Sequence, residues 1–125
     1  MVETKTLTLT VAEVVPPVGE AEFIFAAFNP PIDTREVFAV TSSWPARSKT
    51  YETGDPVRIQ YCVKNIGTGA GRWTIVVKDA DTGTTLQTWY GDLDPGYRFK
   101  TASGVGVLVG PMPNKDWNLS ITVTP

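Results

Sequence analysis

Apolar and polar side chains alternate with period two along nearly the whole chain. Leu7, Leu9 and Val11 alternate with Thr6, Thr8 and Thr10; Val57, Ile59, Tyr61 and Val63 alternate with Arg58, Gln60, Cys62 and Lys64. The same pattern returns at Trp73, Ile75 and Val77, at Tyr97 and Phe99, and at Trp117, Leu119, Ile121 and Val123. A β-strand turns successive side chains to opposite faces, so each run predicts a strand with one face on a core and one on water. Turn-forming residues separate the runs: Pro45, Gly54-Asp55-Pro56, residues 65–71, Asp81-Thr82-Gly83, Asp94-Pro95-Gly96 and residues 110–114. Turn signals roughly ten residues apart predict an all-β sandwich or barrel. The one helix-compatible stretch is EAEFIFAAF, residues 20–28, stopped by Asn29-Pro30-Pro31. It reads equally as a short buried strand, and strand is preferred.

Residues 35–125 hold about seven strand candidates. Burying one Val, Ile or Leu side chain contributes about 1.5–3 kcal/mol, and such strands offset chain entropy only if two sheets cover each other. The expected fold is therefore an Ig-like antiparallel β-sandwich over residues 35–125. Residues 1–34 form an N-terminal extension: a strand over residues 4–14, a Pro-rich linker and the Phe-rich piece. The extension strand, with Leu7, Leu9 and Val11 on its apolar face, is expected to pair with an edge of its own domain or with a neighbour.

The composition excludes several function classes. With 125 residues, 42% hydrophobic and 19% charged, the chain suits one soluble globular domain. A formal charge of −2 and no Lys/Arg cluster leave no footprint for nucleic acid. Histidine is absent, which removes the commonest general base and zinc ligand. Cys62 is the only cysteine, so no intrachain disulfide forms and stability comes from packing. No apolar run is long enough to span a membrane, and no apolar segment of a signal peptide follows Met1.

The loop Asn65-Ile66-Gly67-Thr68-Gly69-Ala70-Gly71 is rich enough in glycine to suggest a phosphate cradle. A cradle opens a helix, whereas this loop opens onto Arg72-Trp73-Thr74, the start of a strand. The expectation is a tight reversal, with Asn65 and the glycines at positive φ. The stretch GDPVRIQYCVKNIGTGAGRWTIVVKDADTG resembles the CARDB-type Ig-like domain, a cell-adhesion-related β-sandwich of bacteria and archaea. The likeness rests on Gly54-Asp55 entering a strand, on Val63-Lys64-Asn65 followed by Gly67-Thr68-Gly69, and on a strand ending near Asp79. The Pro95-Gly96 turn and the last strand from Trp117 fit the same plan, and the likeness covers residues 35–125. It implies a non-catalytic module of a surface or adhesive assembly: extracellular, at a cell surface or on a virion.

Candidate sites are few. Asp79-Ala80-Asp81-Thr82-Gly83 begins like a calcium loop, but Gly83 and Tyr90 stand where ligands are required, so a hairpin turn is expected. Asp92-Leu93-Asp94-Pro95-Gly96 reads as a turn in the same way. No catalytic, cofactor or metal residues are assigned, and an enzyme is not expected. Cys62 shares the outward parity of Arg58, Gln60 and Lys64, so it is expected to be either half exposed or covered by the N-terminal strand. Tyr61, Trp73, Tyr97, Phe99 and Trp117 share parity with the core. Trp44, Tyr51, Trp89 and Tyr90 lie in or beside loops, and Trp89 points outward if Leu86 and Thr88 point inward. These four are the candidate contacts for a protein partner, for self-association or for a glycan. Ile59→Asp or Ile75→Asp should unfold the domain, whereas Thr74→Asp or Lys78→Asp should leave the melting temperature nearly unchanged. Thermal denaturation of the four variants checks this ranking.

Overall fold

The computed structural model describes residues 3–9, 19–40 and 50–125. Eight strands follow in order: β1 (Phe23–Phe25), β2 (Val37–Ala39), β3 (Pro56–Asn65), β4 (Gly71–Asp79), β5 (Thr85–Leu93), β6 (Arg98–Lys100), β7 (Val107–Pro111) and β8 (Leu119–Thr124). All pairings are antiparallel, and they make a five-stranded and a three-stranded sheet. The preference for strand over helix within residues 20–28 is met by β1.

The first sheet is organised around β3. Cys62 accepts from Ala26 N–H and donates to the Glu36 carbonyl, so β1 and β2 lie end to end on one edge of β3. Tyr61 accepts from Thr101 N–H, which places β6 and β7 end to end on the other edge. The chain leaves β3 midway along both edges, in excursions over residues 26–36 and 101–106. The second sheet runs β5-β4-β8. Val57, Ile59, Tyr61 and Val63 of β3 meet Trp73, Ile75 and Val77 of β4 in one core, so the two sheets stack face to face. Trp117, Leu119, Ile121 and Val123 pack against that core from the β8 side.

The alternation therefore holds on β3, β4 and β8, and it fails elsewhere for identifiable reasons. The register of β5 on β4 shifts at Val77/Lys78: Val77 faces Gln87 and Lys78 faces Thr85. Leu86 is the extra residue of this bulge, so parity changes there. Leu86, Trp89 and Leu93 all pack on the core, while Thr88 is exposed. Trp89 points inward, contrary to expectation, with its ring 6.0 Å from that of Tyr61. Gly91 follows on the same face, and a methyl group there would strike the Trp73 ring. Tyr97 and Phe99, expected in the core, are 67% and 41% exposed because β6 is a three-residue edge strand at the rim. Phe99 still stacks on Trp73 at 5.3 Å.

The outward face of β3 has a cover of its own. Cys62 is fully buried, and Gln60 nearly so. Phe38 lies opposite Gln60 and Lys100 lies opposite Cys62. Phe28 packs edge-on against Phe38 at 5.3 Å and takes the Lys100 ammonium over its ring at 4.9 Å, which brings residues 26–36 over Cys62. Asp33 and Arg35 brace this cover with an ion pair at 2.8 Å. Gln60 Oε1 accepts from Gly104 N–H and draws in the opposite excursion. The covering element is thus residues 26–36, not the N-terminal strand expected from sequence.

That strand is itself absent over residues 3–9, which are exposed and outside both sheets; Leu7 and Leu9 are each 84% exposed. Val11 and the rest of the expected strand lie outside the described residues. A short threonine-leucine alternation has no core to face unless it joins a sheet, so its pattern alone does not make it a strand.

The glycine loop turns without the expected dihedrals. Among the described residues no non-glycine residue has positive φ, and Gly67, Gly69 and Gly71 are not among the glycines that do. They permit close approach instead: a methyl on Gly67 would run into the Glu20 carbonyl, and one on Gly69 into the Gly19 carbonyl. Residues 19–22 lie along the loop, with Ile66 N–H bonded to the Glu22 carbonyl at 2.7 Å and Thr68 N–H to Glu20 at 3.1 Å. The fully buried Asn65 amide binds this junction. Its Oδ1 accepts from Gly67 N–H at 2.9 Å and Glu22 N–H at 3.3 Å. Its Nδ2 donates to the carbonyls of Gly69 at 2.9 Å and Leu93 at 3.0 Å. Asn65→Ala leaves buried partners unmatched and should cost about 2–4 kcal/mol. Asn65→Asp, which cannot donate to the two carbonyls, should rescue little of this. Urea denaturation of both variants measures the loss.

Candidate functional site

Two surfaces offer binding chemistry. The first is an apolar groove of about 240 Å³ at the end of the sandwich away from the glycine loop. It arises because one sheet is edged by β1 and β2 while the other is edged by β8. Near the glycine loop, β1 lies against β8 and Phe23 fills the seam at 7% exposure. Beyond β1 the chain leaves the edge, and among the described residues nothing fills the seam. Val37 and Ala39 of β2, Tyr51, Met112, Trp117 and Ile121 line it. Burial raises the Tyr51 hydroxyl above its ordinary pKa, with the Asp55 carboxylate adding to the effect. The groove holds an uncharged ring at physiological pH and recognises shape and apolar area, not charge.

The second surface is a shallow cleft of about 450 Å³ on the outer side of the three-stranded sheet, lined by Ala70, Gly71, Arg72, Asp92, Leu93 and Asp94. Arg72 and Asp92 are cross-strand partners and form an exposed ion pair at 3.0 Å. The hydrogen bond from Arg72 holds the Asp92 carboxyl below its usual range. The Arg72 guanidinium also lies 4.7 Å from the centroid of the Tyr90 ring, which is 65% exposed. A flat ring beside a planar cation and carboxylates offers stacking and hydrogen bonding to a polar ligand.

The four candidate contact residues do not form one site. Tyr51 lines the groove, Tyr90 stands by the outer cleft, and Trp89 is in the core. Trp44 lies outside the described residues. Arg72 and Met112 were not singled out from the sequence, and Asp92 only as part of an acidic turn. The Arg72–Asp92 pair depends on the hairpin register, which the bulge at Leu86 obscures, and Met112 gains its place through the turn after β7.

The acidic turns are structural. Asp79 Oδ1 accepts from Asp81 and Thr82 N–H, Gly83 at φ 74° closes the hairpin, and Lys115 Nζ donates to Asp79 Oδ2 at 2.8 Å. Asn118 Nδ2 reaches the Asp81 carboxylate at 3.2 Å. Among the described residues, no group of three or more His, Cys, Asp or Glu is placed to hold a metal ion. Compared with known proteins, the chain matches no family description, no curated protein and no solved structure.

The Asp79–Lys115 pair sets an acid-side prediction. The hydrogen bond from Lys115 lowers the Asp79 pKa against the opposing effect of burial, helped by Asp81 and Thr82 N–H. A carboxyl depressed on folding stabilises fully above its unfolded pKa, about 3.9, and loses that contribution as pH falls through the folded value. Asp79 in turn raises the Lys115 pKa, so the lysine side of the pair is complete at neutral pH. Lys115→Met should therefore be less stable than the wild type at neutral pH, and the gap should close well below pH 4. Urea melts across that range measure the difference.

Proposed function

We propose that this chain is a non-catalytic Ig-like structural or adhesion module, related to the CARDB-type domains and acting through protein–protein contacts. Its setting is extracellular, at a cell surface or on a virion. The observation that carries this reading is the apolar groove between β2 and β8, with the exposed leucines of residues 3–9 as a second apolar surface. An apolar recess between two sheet edges can seat the apolar side chains of a partner. Three carboxylates are held in ion pairs: Asp33 with Arg35, Asp79 with Lys115 and Asp92 with Arg72. Tyr51 and Met112 would contact the partner, whereas the outer face of the three-stranded sheet would not. A photo-crosslinking residue at Met112, in the full chain expressed in its source cell or particle, should give a protein adduct. The same residue at Thr88, exposed on the opposite face, should give none. The absence of adducts at both positions would remove the reading.

A specific observation favours a second reading, carbohydrate binding at the outer cleft: Tyr90, Arg72, Asp92 and Asp94 place an aromatic face beside hydrogen-bonding groups. On this reading a glycan array gives a signal, and Tyr90→Ala weakens binding by roughly tenfold. A blank array, or unchanged binding by Tyr90→Ala, removes it.

A further inference from the structure

The geometry points to strand donation between copies of this chain: residues 4–9 of one copy add to the open edge of β8 in a second copy, with Leu7 and Leu9 entering its groove. This deepens the protein-contact reading and rests on it. Three observations converge. The first is the acceptor edge. β8 pairs only with β4 among the described residues, and its sequence LSITVT has no charge, proline or glycine. Edges of natural sheets are ordinarily blunted by such residues, and this one is not.

The second is the donor. Residues 4–9 read TKTLTL, six residues against the six of β8. Leu7 and Leu9 fall on one face of an extended strand, about 7 Å apart. Both are 84% exposed, outside the groove of their own chain.

The third is fit. The groove lies beside β8 and is lined by Leu119 and Ile121 of that strand, so a strand on this edge carries its apolar face over the groove. Backbone pairing would supply affinity and the two leucines would set the register. A reciprocal exchange engages six donor residues and a ten-residue groove in each copy. That approaches the 20 or so residues a side of a stable interface.

Sedimentation equilibrium of the full chain, together with cysteine trapping, tests the proposal. The wild type should sediment at twice the 13.6 kDa chain mass or more. Leu7→Asp/Leu9→Asp should sediment as a monomer that still unfolds cooperatively, since both side chains are exposed in the folded domain. A chain carrying Thr8→Cys, mixed with one carrying Thr122→Cys, should form a disulfide-linked heterodimer on mild oxidation; native Cys62 is buried and stays out of the reaction. A doubly substituted chain should link between molecules and not within one. A monomeric wild type overturns strand donation, as does a link formed only within one chain. Association untouched by the double Asp substitution also overturns it. The wider protein-contact reading stands or falls separately, on whether Met112 crosslinks to protein.

Discussion

The buried amide of Asn65 is the constraint on which the rest of the sandwich depends. A fully buried side-chain amide is costly unless each of its hydrogen-bonding groups is matched. Here Oδ1 takes two backbone N–H groups and Nδ2 reaches two carbonyls. The four partners belong to the approach to β1, to the glycine loop and to the end of β5. The backbone of Asn65 adds bonds to Tyr97 and Gly96 at the start of β6. One residue thus ties both sheets together at this end of the molecule. The glycines matter because any side chain at 67 or 69 would push away the segment that Asn65 holds.

From that anchored end the long strand β3 runs down the middle of its sheet, its inner face dry and its outer face covered at Gln60 and Cys62. Its inner face meets Trp73, Ile75 and Val77, and its outer face is closed by Phe28, Phe38 and the Lys100 stem. Both excursions from the neighbouring strands reach over this outer face, and both are fastened by side chains: Asp33 with Arg35 on one side, Gln60 on the other. The excursion that covers Cys62 interrupts the β1–β2 edge, and the groove opens beyond β1. The cover and the binding surface have one topological origin.

The inward pattern of β3 and β4 was legible because both strands lie at the centre of their sheets, whereas the burial of Gln60 on the outward face of β3 was not. β1 was half legible: FIF between alanines and prolines fits a helix as well as a strand, and only pairing with residues 63–65 decides it. Trp89 was misread because a single extra residue in β5 reverses the parity of everything after it. The cover of Cys62 was misread, since a long-range excursion leaves no periodic signal. The glycine loop was recognised as a turn, but glycine serves there for proximity, which depends on a segment more than forty residues earlier in the chain. Alternation in residues 4–9 announces a strand without naming its partner. At the outer cleft, Tyr90 was visible as an aromatic beside a turn, whereas its neighbours Arg72 and Asp92 needed the strand register.

The sealed position of Cys62 carries a chemical consequence. Burial raises its thiol pKa against the opposing pull of Arg98, Lys100 and Lys64, so little thiolate forms, and no oxidant reaches the sulfur through the folded layers. Cys62 is therefore a poor target for thiol exchange or oxidation while the domain is folded, and the sequence offers it no second cysteine with which to pair.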